Sequence, residues 1–121
     1  MVVNACFIVG AEGETRASLD RLASFIEKSD FGEVQLTLQT PFPGTKLFDR
    51  LEKEGRLLTN RDWSHYTLFD VTFQPDILSV SELERGFRDV LSHVFSSEAA
   101  VRRKELRRQI WRRRRCLDPP C

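Results

Sequence analysis

Three cysteines and two histidines are the side chains of this 121-residue chain with the widest chemical reach. Cys6 lies in the apolar stretch VVNACFIVG, where a thiol packs as a small hydrophobe. Cys116 and Cys121 bracket Leu-Asp-Pro-Pro in what reads as a frayed terminus. Two thiols with no nearby His or third Cys do not complete a tetrahedral zinc site. His65 follows Trp63 in an aromatic stretch and His93 falls between Leu91 and Val94, positions that suit structural or solvent-facing roles better than catalysis. No G-x-S-x-G nucleophile elbow or P-loop occurs, and Gly10-x-x-Gly13 is too short to be a dinucleotide fingerprint. No catalytic residue and no metal ligand is assigned.

The basic residues offer another chemistry. Net charge is only +1, but it is unevenly spread. From Glu98 onward nine Lys or Arg face three acids, a net of +6, while residues 1–97 hold ten basic and fifteen acidic residues, a net of −5. Arg102, Arg103, Lys104, Arg107, Arg108 and Arg112 to Arg115 could neutralise phosphates, with Trp111 stacking on a base. A solvated helix end, its cations near the negative pole of the helix, accounts for the same run.

These residues need elements to position them. Val2 to Val9 is a near-continuous apolar run, the pattern of a parallel strand covered on both faces. Thr15 is an N-cap candidate for a helix from Arg16 to Lys28, where Leu19, Leu22, Ala23 and Ile26 share one face and Phe25 widens it. Val34, Leu36 and Leu38 alternate along a second strand, Glu33 to Gln39. That strand runs into Thr40-Pro41-Phe42-Pro43-Gly44-Thr45, whose prolines end it. Thr45 then caps a short helix, Lys46 to Glu54. A stiffened exit from a strand is a common place for a ligand at a sheet's carboxyl edge; a tight loop with no ligand has the same signature.

Asn60 to Phe73 is rich in aromatic and β-branched residues and is read as a helical turn near Arg61 to Tyr66 followed by a strand or extended segment. Ser79 and Glu82 form the capping box S-x-x-E of a helix that aligns Leu83, Phe87, Val90, Leu91, Val94 and Phe95. A second helix runs from Glu98 to about Arg114. Strand–helix–strand–helix is the α/β signature with parallel strands. Two such strands cannot close a barrel, and their open edges imply an incomplete unit.

The order of these pieces carries a family resemblance over residues 2–103. Pro41 to Leu57, PFPGTKLFDRLEKEGRL, with Asp62-Trp63-Ser64-His65-Tyr66 and Val71-Thr72-Phe73-Gln74-Pro75, resembles the end of a radical S-adenosylmethionine (SAM) enzyme. The branch it is most similar to carries an N-terminal cobalamin-binding domain. Val3 to Gly10, continuing to Gly13-Glu14-Thr15, resembles the fifth strand and turn of that family's barrel, and Leu78 to Phe87 the helix after it.

The resemblance implies an α/β partial (βα) barrel, the last two βα units of a radical SAM TIM-like barrel, followed by a helical C-terminal extension. It assigns SAM contacts to Ile8, Gly10 and Glu14, which match the family's strand motif; Cys6 stands where that motif has its first Gly. Gln39, Thr40 and Pro41 fall where the last barrel strand passes the adenine, with backbone amides able to read its edge. Trp63, Tyr66 and Phe73 are expected to seal the barrel's side or end.

Cluster chemistry needs the spacing Cys-x-x-x-Cys-x-x-Cys to hold a [4Fe–4S] centre, and that spacing is absent. The chain by itself is therefore expected not to cleave SAM. In the complete family enzyme the cofactors would be SAM and a [4Fe–4S] cluster, with cobalamin in some members. The expected partner is the upstream barrel portion, in the same or a separate chain. The chain divides into a partial barrel (1–58), an aromatic segment with the post-barrel helix (59–97) and a basic Arg-rich helical tail (98–121). The alternative is a small α/β module that binds nucleic acid through that tail. No apolar run approaches the roughly 20 residues needed to span a membrane, and the N-terminus has no signal-peptide pattern, so a cytoplasmic location is expected.

Overall fold

The computed structural model describes residues 1–117; Cys121, and with it most of the frayed terminus expected from Cys116 to Cys121, lies outside the described residues. The element order is β1 (Asn4–Val9), α1 (Arg16–Lys28), β2 (Glu33–Leu38), α2 (Lys46–Lys53), a 3-10 turn (Trp63–His65), α3 (Val80–Val94) and α4 (Ser97–Leu117). The fold is mixed α/β, with four helices and a two-stranded parallel sheet among the described residues.

Capping decides where the helices start. Thr15 accepts the Ser18 N–H and Ser18 answers by accepting the Thr15 N–H, a reciprocal cap on α1. Thr45 caps α2 through the Phe48 N–H, and Ser79 with Glu82 forms the expected box on α3.

β1 and β2 pair in register from Asn4 opposite Glu33 to Val9 opposite Leu38. The two faces of this ribbon differ sharply. Ala5, Phe7, Val9, Val34, Leu36 and Leu38 turn inward, against the core that Leu19, Ile26, Leu83, Phe87, Val90 and Val94 build from α1 and α3. Asn4, Cys6, Ile8, Glu33 and Gln35 turn outward and are exposed, with Thr37 half-exposed beside them. The expectation of a strand covered on both faces is thus corrected, and with it the packing of Cys6, which is exposed. The helices that build this core lie on one side of the ribbon, so Cys6 and Ile8 on the outward face have nothing to pack on among the described residues.

Helices α1 and α3 meet closely at Gly86, where an added Cβ would come 2.5 Å from Leu19 Cδ1. Residues 56–58 and 72–74 pair as a short antiparallel connection, with the Leu58 N–H donating to Thr72 O at 2.9 Å and the Gln74 N–H to Arg56 O at 2.7 Å. The extended segment expected before Phe73 is reduced to this isolated bridge. Helix α4 is tied back by Arg107, whose guanidinium donates to Gly32 O at 2.6 Å.

Candidate functional site

Both strands end at the same edge, and the candidate residues gather there. Ile8 stands opposite Thr37, and the Gln39 N–H donates to Val9 O at 2.7 Å, extending the pairing past the last strand residue. Ile8 projects from the bare face and is 67% exposed, an apolar side chain presented at the open rim. Gly10 turns the chain with φ +95°, a conformation open to glycine; its N–H donates to Glu14 at 3.2 Å. Glu14 also accepts from the Ser18 hydroxyl, so its carboxylate is engaged in holding the β1–α1 turn.

The second strand's exit is tighter. Thr40 and Pro41 are buried, and the Thr40 hydroxyl donates to Leu38 O at 3.3 Å. Of the backbone donors expected to face a ligand, Pro41 has none and the Gln39 amide is spent on Val9. The Thr40 amide is the one with no backbone partner among the described residues. The structure therefore brings Ile8 and Gln39 together at an accessible rim, while the buried Gly10, Thr40 and Pro41 and the half-buried Glu14 shape it from within.

An aromatic step rises beside this rim. The Phe42 and Tyr66 ring centroids are 6.4 Å apart and those of Tyr66 and Trp63 5.0 Å, a tilted run in which Trp63 is 66% exposed. Phe73, grouped with Trp63 and Tyr66 in the sequence, is instead buried in the core. Asp62 stabilises the turn beneath the step, accepting from the Ser64 N–H and pairing with His65 at 3.0 Å. The Ser64 hydroxyl first, then His65 and the Ser64 amide, hold the Asp62 carboxyl below its ordinary range.

Leu68 has φ +72°, uncommon for a bulky residue and costing roughly 1–2 kcal/mol. That conformation points its carbonyl at the outer edge of β2, where the Leu38 N–H donates to it at 2.7 Å. One contact had no sequence signal at all: Asp76 accepts the Gly13 N–H at 2.9 Å across 63 residues. Glu12 adds ion pairs to Arg50 at 3.0 Å and Arg56 at 3.5 Å, so the β1–α1 loop is tied to α2.

Residues 45–115 match a family model described as a domain of unknown function, DUF4070. The chain belongs to the DUF4070 family. The match covers α2, the aromatic turn, α3 and most of α4, so the rim residues contributed by β1 and β2 lie before it. Over 64 residues, 53% of the DUF4070 chain, it is 38% identical to a protein of Pyrococcus horikoshii named as an uncharacterized methyltransferase, of which this covers 14%. Over 105 residues, 87% of the chain, it is 25% identical to the bacteriochlorophyllide d C-12(1)-methyltransferase of Chlorobaculum tepidum, covering 22% of it. The chain thus spans less than a quarter of the curated relatives it matches. DUF4070 is found at the C-terminus of radical SAM/B12 methyltransferase-like proteins, and together these matches support a C-terminal part related to radical SAM enzymes.

The residues present fit the implied groups unequally. An exposed Ile8 beside the open rim suits an adenine face. An iron–sulfur cluster does not fit this chain: among the described residues no three Cys, His, Asp or Glu side chains converge as ligands. No helix among them is long and apolar enough to cross a membrane.

Proposed function

We propose that this DUF4070 chain is the closing piece of a radical SAM methyltransferase barrel, with its bare ribbon face and carboxyl edge forming one wall of the SAM and substrate cavity. The observation that carries this reading is the asymmetry of the ribbon. One face is packed by helices, while the other presents Cys6, Ile8, Gln35 and Thr37 to solvent beside an open edge of β1. In a (βα) barrel the outer face of each strand meets helices and the inner face lines the interior. The short coverage of the methyltransferase relatives agrees with further strands upstream. On this reading residues 1–58 are the last two βα units, 59–97 the aromatic closure and post-barrel helix, and 98–121 the basic tail.

Within such a barrel the cluster cysteines would come from upstream strands, which also form the rest of the SAM site. SAM would supply the radical chemistry when bound. This chain's own residues would place an apolar wall, Ile8, against the adenine, and Gln39 at the rim. Isothermal titration of the complete protein tests this: Ile8→Asp, which sets a carboxylate where the apolar wall stood, should weaken SAM binding at least tenfold. Unchanged affinity would overturn it.

One observation favours a second reading. On α4, Lys104, Arg108, Trp111 and Arg115 are spaced four, three and four residues apart and are all exposed, a cationic stripe around one indole. Single-stranded nucleic acid fits that stripe. Anisotropy of a labelled oligonucleotide across a salt series should then show affinity falling with a log–log slope of about −0.7 per phosphate neutralised. No binding at about 50 mM salt, where such contacts are strongest, would remove this reading.

A further inference from the structure

Arg103 lies on the inner side of α4, only 8% exposed, with its guanidinium carbon 5.7 Å from the centroid of the Phe95 ring. Among the described residues no carboxylate comes within 4.0 Å of it. Burial, followed by the neighbouring charges of Arg102 and Arg107, pushes its pKa down, and no acid acts in the other direction. Its stem is buried while its nitrogens keep some contact with solvent and make no hydrogen bond within the described residues, so they still call for acceptors. Arg107, one turn further on, meets that need through Gly32 O; Arg103 does not.

The guanidinium borders a cavity of about 480 Å³ between α1, α3 and the start of α4. Ser92, Ser96 and Arg102 share its wall. The first turn of α4 borders the same space through Glu98 and Ala99; the Ala99 N–H already donates to the Ser96 hydroxyl at 3.3 Å, so that turn contributes the positive end of the helix beside the two arginines. Three carboxylates also line it. Glu27 is taken by His93 at 3.1 Å and Asp89 by Arg16 at 2.7 Å, which leaves Glu98 at the rim.

We infer that this cavity is a binding site for a small phosphomonoester, with its phosphate held between Arg103, Arg102 and the first turn of α4. A bare phosphate would leave most of the space empty, and Glu98 can accept a hydrogen bond from a hydroxyl on the rest of the ligand. The site shares no residue with the strand rim and does not rest on the barrel reading.

Thermal unfolding of the 121-residue chain in phosphate, in glycerol 1-phosphate and in chloride of matched ionic strength tests the site, with Arg side-chain NMR signals followed in parallel. The phosphates should raise the midpoint saturably and shift the Arg103 Nε–Hε signal. Arg103→Met should weaken phosphate binding at least tenfold and leave the midpoint in chloride close to the parent's. Arg21→Gln, on the exposed face of α1 and away from the cavity, should bind as the parent does. A linear, non-saturating response equal in parent and Arg103→Met would mean an adventitious ion only, and the site would fall. So it would if Arg103→Met lowered the midpoint in chloride, since Arg103 would then be a packing residue. Loss of the response in the longer protein would overturn the site as well, because a carboxylate from the upstream chain would be its occupant.

Discussion

Thr72 carries a fully buried hydroxyl with no hydrogen-bond partner among the described residues. Such a group has lost its water without replacement, so the near-isosteric Thr72→Val should stabilise the chain by roughly 1 kcal/mol. Urea denaturation checks this, and a lower midpoint would show that the hydroxyl is satisfied in solution. Gly86 predicts the opposite sign. Leu19 is buried and cannot swing clear of a Cβ placed 2.5 Å from its methyl. Gly86→Ala should therefore cost about 1–2 kcal/mol net, overpacking exceeding the gain in helix propensity. Neither role was legible beforehand, because the Gly in LERGFRD and the Thr in DVTFQ have ordinary neighbours. That Ile8 and Gln39 lie near the carboxyl ends of their strands was legible from the apolar run and the alternation that bound those strands. The burial of Thr40 and Pro41 was not, because a strand exit rich in proline reads as a surface turn.

At the scale of elements, caps and periodicity were the reliable signals. Thr15, Thr45 and the Ser79–Glu82 box begin α1, α2 and α3 where the residue types place them. Aromatic richness from Asn60 to Phe73 was a poorer guide. It signals burial or stacking, and the chain uses it for a stacked step and a single bridge in place of a strand. The α3 box also sets a pH dependence. The Ser79 backbone N–H, then its hydroxyl, hold the Glu82 carboxyl below its ordinary range. A pKa depressed on folding contributes stability that is present above the unfolded value, about 4.3 for Glu, and is lost as pH falls through the folded value. Glu82→Gln keeps an acceptor for the Ser79 N–H but cannot titrate. Its unfolding midpoint should fall less steeply than the parent's below about pH 4. Parallel acid limbs would mean that the box contributes nothing to acid sensitivity.

For the whole molecule, the fold class was legible because two apolar strands separated by a helix leave few alternatives. The long-range ties were not: Gly13 to Asp76 and Arg107 to Gly32 join segments with no shared pattern. The bare ribbon face is where the whole-molecule reading is most exposed to test, and Cys6 reports on it directly. Cys6 and Cys116 are both exposed. With Cys121→Ser in place, both thiols of the 121-residue chain should react with a bulky maleimide at similar rates. In a longer protein that supplies the upstream strands, Cys6 would face a closed interior while Cys116 stayed on the tail. Its labelling should slow at least tenfold, with Cys116 unchanged as the internal control. Mass spectrometry of tryptic fragments resolves the two sites. If Cys6 labels as fast in the longer protein as in the short one, its face of the ribbon stays open to solvent and the barrel reading fails.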